Sequence, residues 1–271
     1  MVIHDPVIKE KALKRILPEE EVTTEVIEKA SVELIRTGNW DGYYMVSVGA
    51  MQGTMIALGN GVSEYSASMR KERGMIPKEY KDKRANSFNW NVYKCDISNS
   101  KNIVNSFILN FDKYRAEGMG LYIYSDIKGS GKTMLSCCIL NEIAHRHDVS
   151  FKFINIFELF EITKKGYSGF QEEEQSLYEC SLLVIDDIGA QMEKEWINTV
   201  LYRLINHRYT NKQITIYTSN IEVEQLNIDD RIIDRIESTS YIVRLPEVPV
   251  RKIMSAERKK QLSSYIATGN R

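Results

Sequence analysis

The chain has 271 residues, 43% of them hydrophobic, which is enough to bury one good core and a smaller appendage. Its 36 lysine and arginine residues are balanced by 37 aspartate and glutamate residues. This balance excludes a broad positive field for nucleic acid, so any contact with DNA must come from local patches.

The N-terminus lacks the pattern of a secretory signal, and the four cysteines lack the C-x-x-C spacing of redox and zinc motifs. We therefore expect reduced thiols in a cytoplasmic protein. The apolar stretch from Tyr43 to Leu58 is too short and too interrupted by glycines to span a bilayer. Its methionines fit either core packing or a soft surface for a partner; they are Met45, Met51 and Met55.

The first 70 residues are predicted to form a small, mostly helical N-terminal unit that binds a partner. A charged helical pattern runs from Val7 to Ile16, and apolar residues on one side predict a second helix from Thr24 to Arg36. The basic segment 71–86 is predicted to be a linker. Residues 87–271 then form the larger predicted unit.

A phosphate-binding pattern follows an apolar run that ends at Tyr124. Its residues are Ser125-Asp126-Ile127-Lys128-Gly129-Ser130-Gly131-Lys132-Thr133, the order of a nucleoside-triphosphate-binding P-loop. Backbone N–H groups near Gly129 and Gly131 would wrap the phosphates. The Lys132 ammonium would reach the β and γ oxygens, and the Thr133 hydroxyl would join the Mg2+ shell. The candidate nucleotide-binding residues are therefore Lys128, Gly129, Ser130, Gly131, Lys132, Thr133 and Met134.

One position departs from this pattern, because Asp126 stands where a P-loop has its first glycine. Glycine suits that position when the backbone needs a positive φ, and a carboxylate beside a triphosphate repels it unless its side chain turns away. The other residues of the motif keep their spacing, so we interpret the stretch as a P-loop with a local variant. The alternative is a basic, glycine-containing turn between a strand and a helix.

Two later strands end in polar residues that complete such a site. One ends in Asp186, which would hold Mg2+ together with Thr133, and in Asp187, which would polarise the attacking water. The other ends at Asn220, which would hold that water. Both ends also fit a plain structural role, as the polar end or the cap of a buried strand.

A helical pattern after these strands carries Arg231 and Arg235 on one face. Either arginine would supply positive charge to the ATP of a neighbouring subunit, as an arginine finger. The alternative is an ion-pair pattern within the helix, made with Asp230 and Asp234.

The fold class predicted from these elements is α/β, with a doubly wound parallel sheet. Five apolar runs separated by helical stretches are the predicted strands: Gly120–Tyr124, Ser150–Ile154, Leu182–Asp186, Ile214–Thr218 and Tyr241–Leu245. Sheets of this kind bind ligands at the carboxyl ends of their strands, where the polar residues lie.

In order and spacing, these motifs resemble the AAA+ ATPases that load bacterial replicative helicases, the DnaC/DnaI family, and their relatives the IstB-type transposition ATPases. The resemblance covers roughly the last two-thirds of the chain. It implies an AAA+ P-loop ATPase core that uses ATP and Mg2+, associates with itself through the ATP site, and delivers a ring helicase onto single-stranded DNA.

The resemblance also implies roles for single residues. Asp186 and Asp187 take the Walker B roles, and Asn220 that of sensor I. Arg235 is the better finger candidate, and Arg251 resembles the sensor II arginine. The short C-terminal segment implies a minimal lid made of one basic amphipathic helix, from about Val250 to Tyr265.

In the family an extra helix lines the central channel, and the segment from Phe157 to Phe170 corresponds to it. Cations beside aromatics make the candidate DNA contacts Lys164, Lys165, Tyr167 and Phe170. A solvated loop is the alternative.

The first third departs from the family, since no cysteine precedes Cys95 and the N-terminal zinc cluster of DnaI-type loaders is missing. We expect a phage or mobile-element branch of the family.

The motifs, together with the resemblance, leave three candidate functions. The first is an ATPase that loads a replicative helicase. The second is an ATP-liganded helicase adaptor or inhibitor with little turnover, which Asp126 favours. The third is a transposition ATPase on duplex DNA, which the near-neutral composition disfavours. A small-molecule kinase fits poorly, because no lid for an acceptor substrate is visible.

Overall fold

A computed structural model describes residues 2–14, 16–35, 44–56, 74–165, 171–190 and 195–268. The chain divides into two compact units. The first comprises Met1–Glu72 together with Ala144–Asp148, and the second comprises Arg73–Ile143 and Val149–Arg271. No helix in the described ranges is long and apolar enough to cross a membrane.

The first unit combines two short helices with a three-stranded antiparallel sheet in the order β1-β2-β3. Its elements are α1 (Pro6–Leu13), α2 (Thr24–Lys29), β1 (Ser31–Leu34), β2 (Tyr44–Val48) and β3 (Met51–Ile56). The prediction of a mostly helical unit missed this sheet. Several of the apolar side chains are buried in a core between sheet and helices: Ile3, Ala12, Leu13, Ala30, Val32, Leu34 and Val46.

The helix predicted from Thr24 to Arg36 is wrong beyond Lys29. Thr23 caps its start, and the backbone turns extended at Ala30 (φ −70°, ψ 136°). From there the burial pattern alternates, because Val32 and Leu34 face the core while the residues between them do not. That alternation is the period of a half-buried strand. Arg36 lies outside the described residues.

The apolar stretch after residue 43 forms most of the β2–β3 hairpin. Gly49 turns the chain with φ +55°, a left-handed conformation that glycine adopts without steric cost. Val46 is buried, Met45 is half-buried and Met51 is exposed.

The second unit is built on a five-stranded parallel sheet in the order β5-β6-β7-β4-β8. Its strands are β4 (Gly120–Tyr124), β5 (Phe151–Asn155), β6 (Leu182–Asp186), β7 (Ile214–Ser219) and β8 (Ser240–Arg244). The α/β fold and all five predicted strands are confirmed, with bounds that differ by at most one residue.

Eight described α-helices begin in this unit: α3 (Ser98–Leu109), α4 (Phe111–Glu117), α5 (Lys132–Arg146), α6 (Ile156–Lys165), α7 (Gln171–Glu179), α8 (Glu195–Thr210), α9 (Asp230–Ser238) and α10 (Val250–Thr268). The predicted single C-terminal helix is therefore confirmed as α10. The three central strands β4, β6 and β7 are buried along their whole length, as expected for a parallel sheet covered on both faces. Their carboxyl ends lie side by side at one edge.

The segment predicted as a linker packs against this second unit from Gly74 onward. The Gly74 carbonyl accepts a hydrogen bond from the Phe153 backbone N–H at 2.7 Å. Arg84 makes a two-pronged ion pair with Glu142, with both N–O distances 3.0 Å. The Asn141 amide donates to two carbonyls of the same segment at 2.8 Å.

A fully buried arginine joins three elements of this unit. Arg208 is 1% exposed, lies near the end of α8, and makes no ion pair within the described residues. Its guanidinium donates to the carbonyls of Leu177 and Cys180, both at 2.9 Å, at the end of α7. It also donates to the Ile214 carbonyl at 2.6 Å and to the Thr215 hydroxyl at 2.9 Å on β7. Arg208 thus satisfies helix-end carbonyls that would otherwise be buried without a donor.

Arg208→Ala is expected to lower the free energy of unfolding by about 3 kcal/mol or more, because it leaves several buried acceptors unsatisfied. Urea denaturation followed by circular dichroism measures this change. Arg203→Ala, an exposed arginine of the same helix, is the matched control and should change stability by about 0.5 kcal/mol or less. Equal stabilities for the two variants would contradict the assignment.

Candidate nucleotide site

The predicted P-loop joins the end of β4 to the start of α5. Gly129 and Gly131 have φ values of +79° and +103°, in the left-handed region that favours glycine. A side chain at either position would also be crowded. A Cβ at Gly131 would lie 3.2 Å from the Tyr93 hydroxyl, and one at Gly129 would lie 3.2 Å from the Arg251 Cβ. Conformation and close packing both explain these two glycines.

Lys132 lies at the centre of the site and is only 5% exposed. Its Nζ donates to the Asn220 side-chain oxygen at 2.7 Å and to the Ile127 carbonyl at 2.9 Å. Burial lowers the pKa of Lys132 to about 8, while the charges of Asp187 and Asp186 act in the opposite direction. The structure thus brings together the predicted phosphate-binding lysine and the predicted sensor asparagine, which are 88 residues apart.

Asp186 is buried at the end of β6, with 5% of its surface exposed. Oδ2 accepts a hydrogen bond from the Thr133 hydroxyl at 3.2 Å, and Oδ1 accepts one from the Thr218 hydroxyl at 2.6 Å. Burial raises the pKa of Asp186 to about 6, and the Asp187 charge adds to the rise, whereas the two hydroxyl hydrogen bonds oppose it.

Asp187 follows in a left-handed conformation, with φ +59°. Aspartate tolerates this region better than most residues, but it remains a strained choice. The Asp187 backbone N–H donates to the Thr218 hydroxyl at 3.0 Å. Both acids are therefore hydrogen-bonded to the same threonine.

These residues fit a Mg2+ ion bound together with phosphates. Thr133 and Asp186 present oxygen atoms, the ligands that Mg2+ prefers, and they lie within hydrogen-bond distance of one another. A Mg2+ ion that bridges nucleotide phosphates needs only one or two carboxylates from the protein. Across the described ranges, no cluster of three or more His, Cys, Asp or Glu side chains offers a metal site made by protein alone.

The structure accounts for Asp126, the departure from the P-loop pattern. Asp126 is not among the described residues with positive φ, so its backbone does not require glycine. Its carboxylate accepts a hydrogen bond from Arg244 at the end of β8, at 3.3 Å. The guanidinium neutralises the carboxylate that would otherwise repel a triphosphate.

Other predicted nucleotide-binding residues surround the loop. Lys128 is exposed, and Met134 is half-buried on the first turn of α5. Ser130 is fully buried, and its carbonyl accepts a hydrogen bond from the Tyr93 hydroxyl at 2.7 Å. Arg251, the sensor II candidate, lies in the first turn of α10, where its backbone N–H donates to the Gly129 carbonyl at 2.9 Å.

Contacts with α8, with α9 and with the residue that caps α9 hold the side chains of Arg231 and Arg235. The Arg235 guanidinium donates to the Asn206 side chain at 2.8 Å and to the Arg231 carbonyl at 2.7 Å. Arg231 makes a two-pronged pair with Asp229, at 2.9 Å and 2.7 Å. Both guanidinium groups lie over the Tyr202 ring, at 4.6 Å and 4.9 Å. The predicted alternative, an ion pair within the helix with Asp230 or Asp234, is wrong. Arg231 pairs instead with Asp229, the residue that caps the start of α9.

Two of the four candidate DNA contacts, Lys164 and Lys165, lie at the end of α6. Lys164 is exposed, and its ammonium lies over the Trp196 ring at 4.6 Å. The Lys165 side chain, Tyr167 and Phe170 lie outside the described residues, so their predicted role stays a prediction.

Three residues of the site are not predicted by the motifs: Tyr93, Thr218 and Arg244. Thr218 had a usable signal, because it lies at the end of a predicted strand, two residues before Asn220, where polar residues of this sheet are expected to gather. Arg244 pairs with a residue 118 positions away, and no local pattern encodes that contact.

Asp186→Asn is expected to stabilise the nucleotide-free protein at pH 8, because the amide avoids the cost of burying a charge. The rise in pKa from the ordinary value of 3.8 to about 6 means that the ionised carboxylate lowers the free energy of unfolding by about 3 kcal/mol above pH 6. The carboxyl ionises as the pH rises through 6, so the advantage of the variant should grow from pH 5 to pH 8. Denaturant unfolding at both pH values measures it.

The exposed acid variant Asp234→Asn on α9 is the control and should show little change at either pH. An advantage of Asp186→Asn that shrinks as the pH rises would contradict the prediction.

Three comparisons with known proteins agree with this geometry. A family model described as IstB-like ATP binding protein matches residues 123–252. The replicative helicase loader DnaC of Escherichia coli (strain K12) is 29% identical over 120 residues, which cover 42% of this chain and 49% of DnaC. The replicative helicase loader DnaI of Bacillus subtilis (strain 168) is 26% identical over 126 residues, which cover 45% of this chain and 40% of DnaI. The chain thus spans about half the length of the curated relatives it matches.

A solved structure of DnaI shares the fold, with a TM-score of 0.55 and 23% identity, covering 63% of this chain and 95% of that one. The matched segment contains the predicted P-loop, the two predicted Walker B acids, Asn220 and both candidate finger arginines. The chain thus matches the family model of IstB-like ATP binding proteins over residues 123–252, and it is similar to the replicative helicase loaders DnaC and DnaI.

Proposed function

We propose that this chain binds and hydrolyses ATP with Mg2+, binds a hexameric replicative helicase and loads it onto single-stranded DNA. The observation that supports the nucleotide part most directly is the hydrogen-bonded set at the carboxyl ends of the central strands. It joins Lys132 to Asn220, and Asp186 to Thr133. The similarity to proteins named replicative helicase loaders supports the partner.

In the proposed site, the Lys132 ammonium exchanges its neutral acceptors for phosphate oxygens when ATP binds. The desolvation that lowers its pKa makes an anionic ligand especially favourable there. Thr133 and Asp186 would hold Mg2+, and the ion would neutralise charge on the phosphates. Asp187 polarises the attacking water and Asn220 orients it.

Self-association would complete the site with Arg235 from a neighbouring subunit. Its contacts with Asn206 and Tyr202 align the guanidinium on a rigid helix pair, which is the preorganisation that charge stabilisation requires. Arg231 is the second candidate, since its side chain is 65% exposed.

Two observations favour the alternatives. The match to IstB-like ATP binding proteins favours a transposition ATPase on duplex DNA. The aspartate in the P-loop favours an adaptor with little turnover, although its pairing with Arg244 weakens that argument.

With the host's hexameric replicative helicase, the chain is expected to form a discrete complex in the presence of Mg2+ and ATP. The helicase should then be transferred onto covalently closed single-stranded DNA circles, which it cannot thread by itself. Size-exclusion chromatography with light scattering measures the complex, and co-elution of helicase with the circles measures loading. Lys132→Ala should abolish loading, whereas Lys113→Ala, an exposed lysine on α4, should load like the native chain.

Each contrary result has a distinct meaning. A complex without loading would favour the adaptor. No complex, together with salt-sensitive binding to duplex DNA, would favour the transposition ATPase.

Arg244→Ala is expected to weaken ATP binding by about two- to fivefold, because an exposed ion pair is worth about 0.2–1 kcal/mol and its loss leaves Asp126 charged beside the triphosphate. Adding Asp126→Asn should restore the native affinity. Isothermal titration calorimetry with a non-hydrolysable ATP analogue measures both variants. Glu247 is the other carboxylate near Arg244, at 3.8 Å, and Glu247→Gln is the control. A double variant as weak as Arg244→Ala would contradict the account.

A further inference from the structure

One hydroxyl group connects both Walker B acids to the strand that carries Asn220. Thr218 lies on β7 and is fully buried. Its Oγ1 donates to Asp186 Oδ1 at 2.6 Å and accepts from the Asp187 backbone N–H at 3.0 Å. The single hydrogen of this hydroxyl is therefore committed to Asp186, while its oxygen receives the N–H of the next residue.

The neighbouring backbone adds to this connection. The Thr218 carbonyl accepts a hydrogen bond from the Ile188 N–H at 2.9 Å, and the Ser219 hydroxyl donates to the Ile188 carbonyl at 2.6 Å. Because β6 and β7 are adjacent parallel strands, these bonds attach the turn after β6 to the end of β7. That turn contains Asp187 in its left-handed conformation. A strained residue of this kind persists only when its surroundings hold it.

We propose that Thr218 is a positioning residue of the ATP site, which orients the Asp186 carboxylate toward Mg2+ and holds Asp187 in its left-handed conformation. Threonine suits this task, because its branched Cβ restricts χ1 and so fixes the direction of the hydroxyl. The inference rests on the proposed Mg2+-dependent nucleotide site, and it assigns to this site a residue that does not touch nucleotide or metal.

Loss of the hydroxyl has two separable consequences. Asp186 Oδ1 loses its donor, so the carboxylate is free to rotate about its side-chain bond. The Asp187 N–H is left without a partner beside a buried position, which favours relaxation of the strained turn. Removing a hydrogen-bond partner of a metal ligand typically lowers metal affinity or activity by about 10–100-fold.

The experiment compares Thr218→Val, which keeps the shape and removes the hydroxyl, with Thr218→Ser, which keeps the hydroxyl. Thr218→Ala is a second hydroxyl-free variant, in case valine does not fold. The matched control is Thr215→Val, because Thr215 lies on the same strand and its hydroxyl accepts a buried hydrogen bond from Arg208 at 2.9 Å. This control reproduces the loss of a buried hydroxyl without touching the acids.

Two readouts are measured for each variant. The first is the affinity for a fluorescent, non-hydrolysable ATP analogue, measured in Mg2+ and in EDTA. The ratio of these two affinities is the gain from Mg2+, which reports the contribution of the metal. The second is kcat and KM for ATP hydrolysis. For Thr218→Val we expect an unchanged affinity in EDTA and a gain from Mg2+ that falls by about 10–100-fold. For hydrolysis in Mg2+ we expect a raised KM together with a lower kcat. Thr218→Ser and Thr215→Val should keep the native gain.

Other results would overturn the inference. If Thr218→Val and Thr218→Ala keep the native gain from Mg2+ and the native kcat, the hydroxyl has no positioning role. If Thr215→Val loses as much as Thr218→Val, the effect is one of stability alone. If the native chain binds the analogue neither in Mg2+ nor in EDTA, the proposed function is wrong, and so is the positioning role that rests on it.

Discussion

The structure of the site depends on one buried carboxylate. Asp186 lies at the end of a central strand, where burial raises its pKa to about 6, and hydroxyl groups from two other elements hydrogen-bond its two oxygens. Thr133 belongs to the helix that follows the phosphate loop, and Thr218 belongs to the next strand of the sheet. The carboxylate therefore ties together the three elements from which a nucleotide site of this class is built. A charge so costly to bury is stabilised when a cation binds beside it.

The phosphate loop is attached to distant parts of the chain as well. The Ser130 carbonyl receives the Tyr93 hydroxyl, and the Gly129 carbonyl receives the Arg251 N–H. Arg244 pairs with Asp126 at the start of the loop. These contacts attach the loop to the segment before α3, to the end of β8 and to the first turn of α10.

The sequence predicts the core sheet well for a physical reason. Strands of a parallel sheet are buried on both faces, so they are continuous apolar runs with polar residues at their ends. The P-loop glycines, Lys132 and the two acids are also local patterns, and the structure brings Lys132 next to Asn220. The small sheet of the first unit was not predicted, because its strands are short and because Ala30 and Leu34 also continue the helical spacing of Val26 and Ile27. Arg244 and Tyr93 act through contacts between distant parts of the chain, which no local pattern encodes.

The most direct test of the account is a crystal structure of the chain with a non-hydrolysable ATP analogue and Mg2+. The account predicts the triphosphate in the loop and the Lys132 ammonium moved from Asn220 and the Ile127 carbonyl onto phosphate oxygens. It also predicts the metal beside Thr133 and Asp186, with the hydrogen bond between Thr218 and Asp186 kept. A nucleotide bound elsewhere, or a Lys132 that stays bonded to Asn220 with the loop empty at saturating analogue, would contradict it.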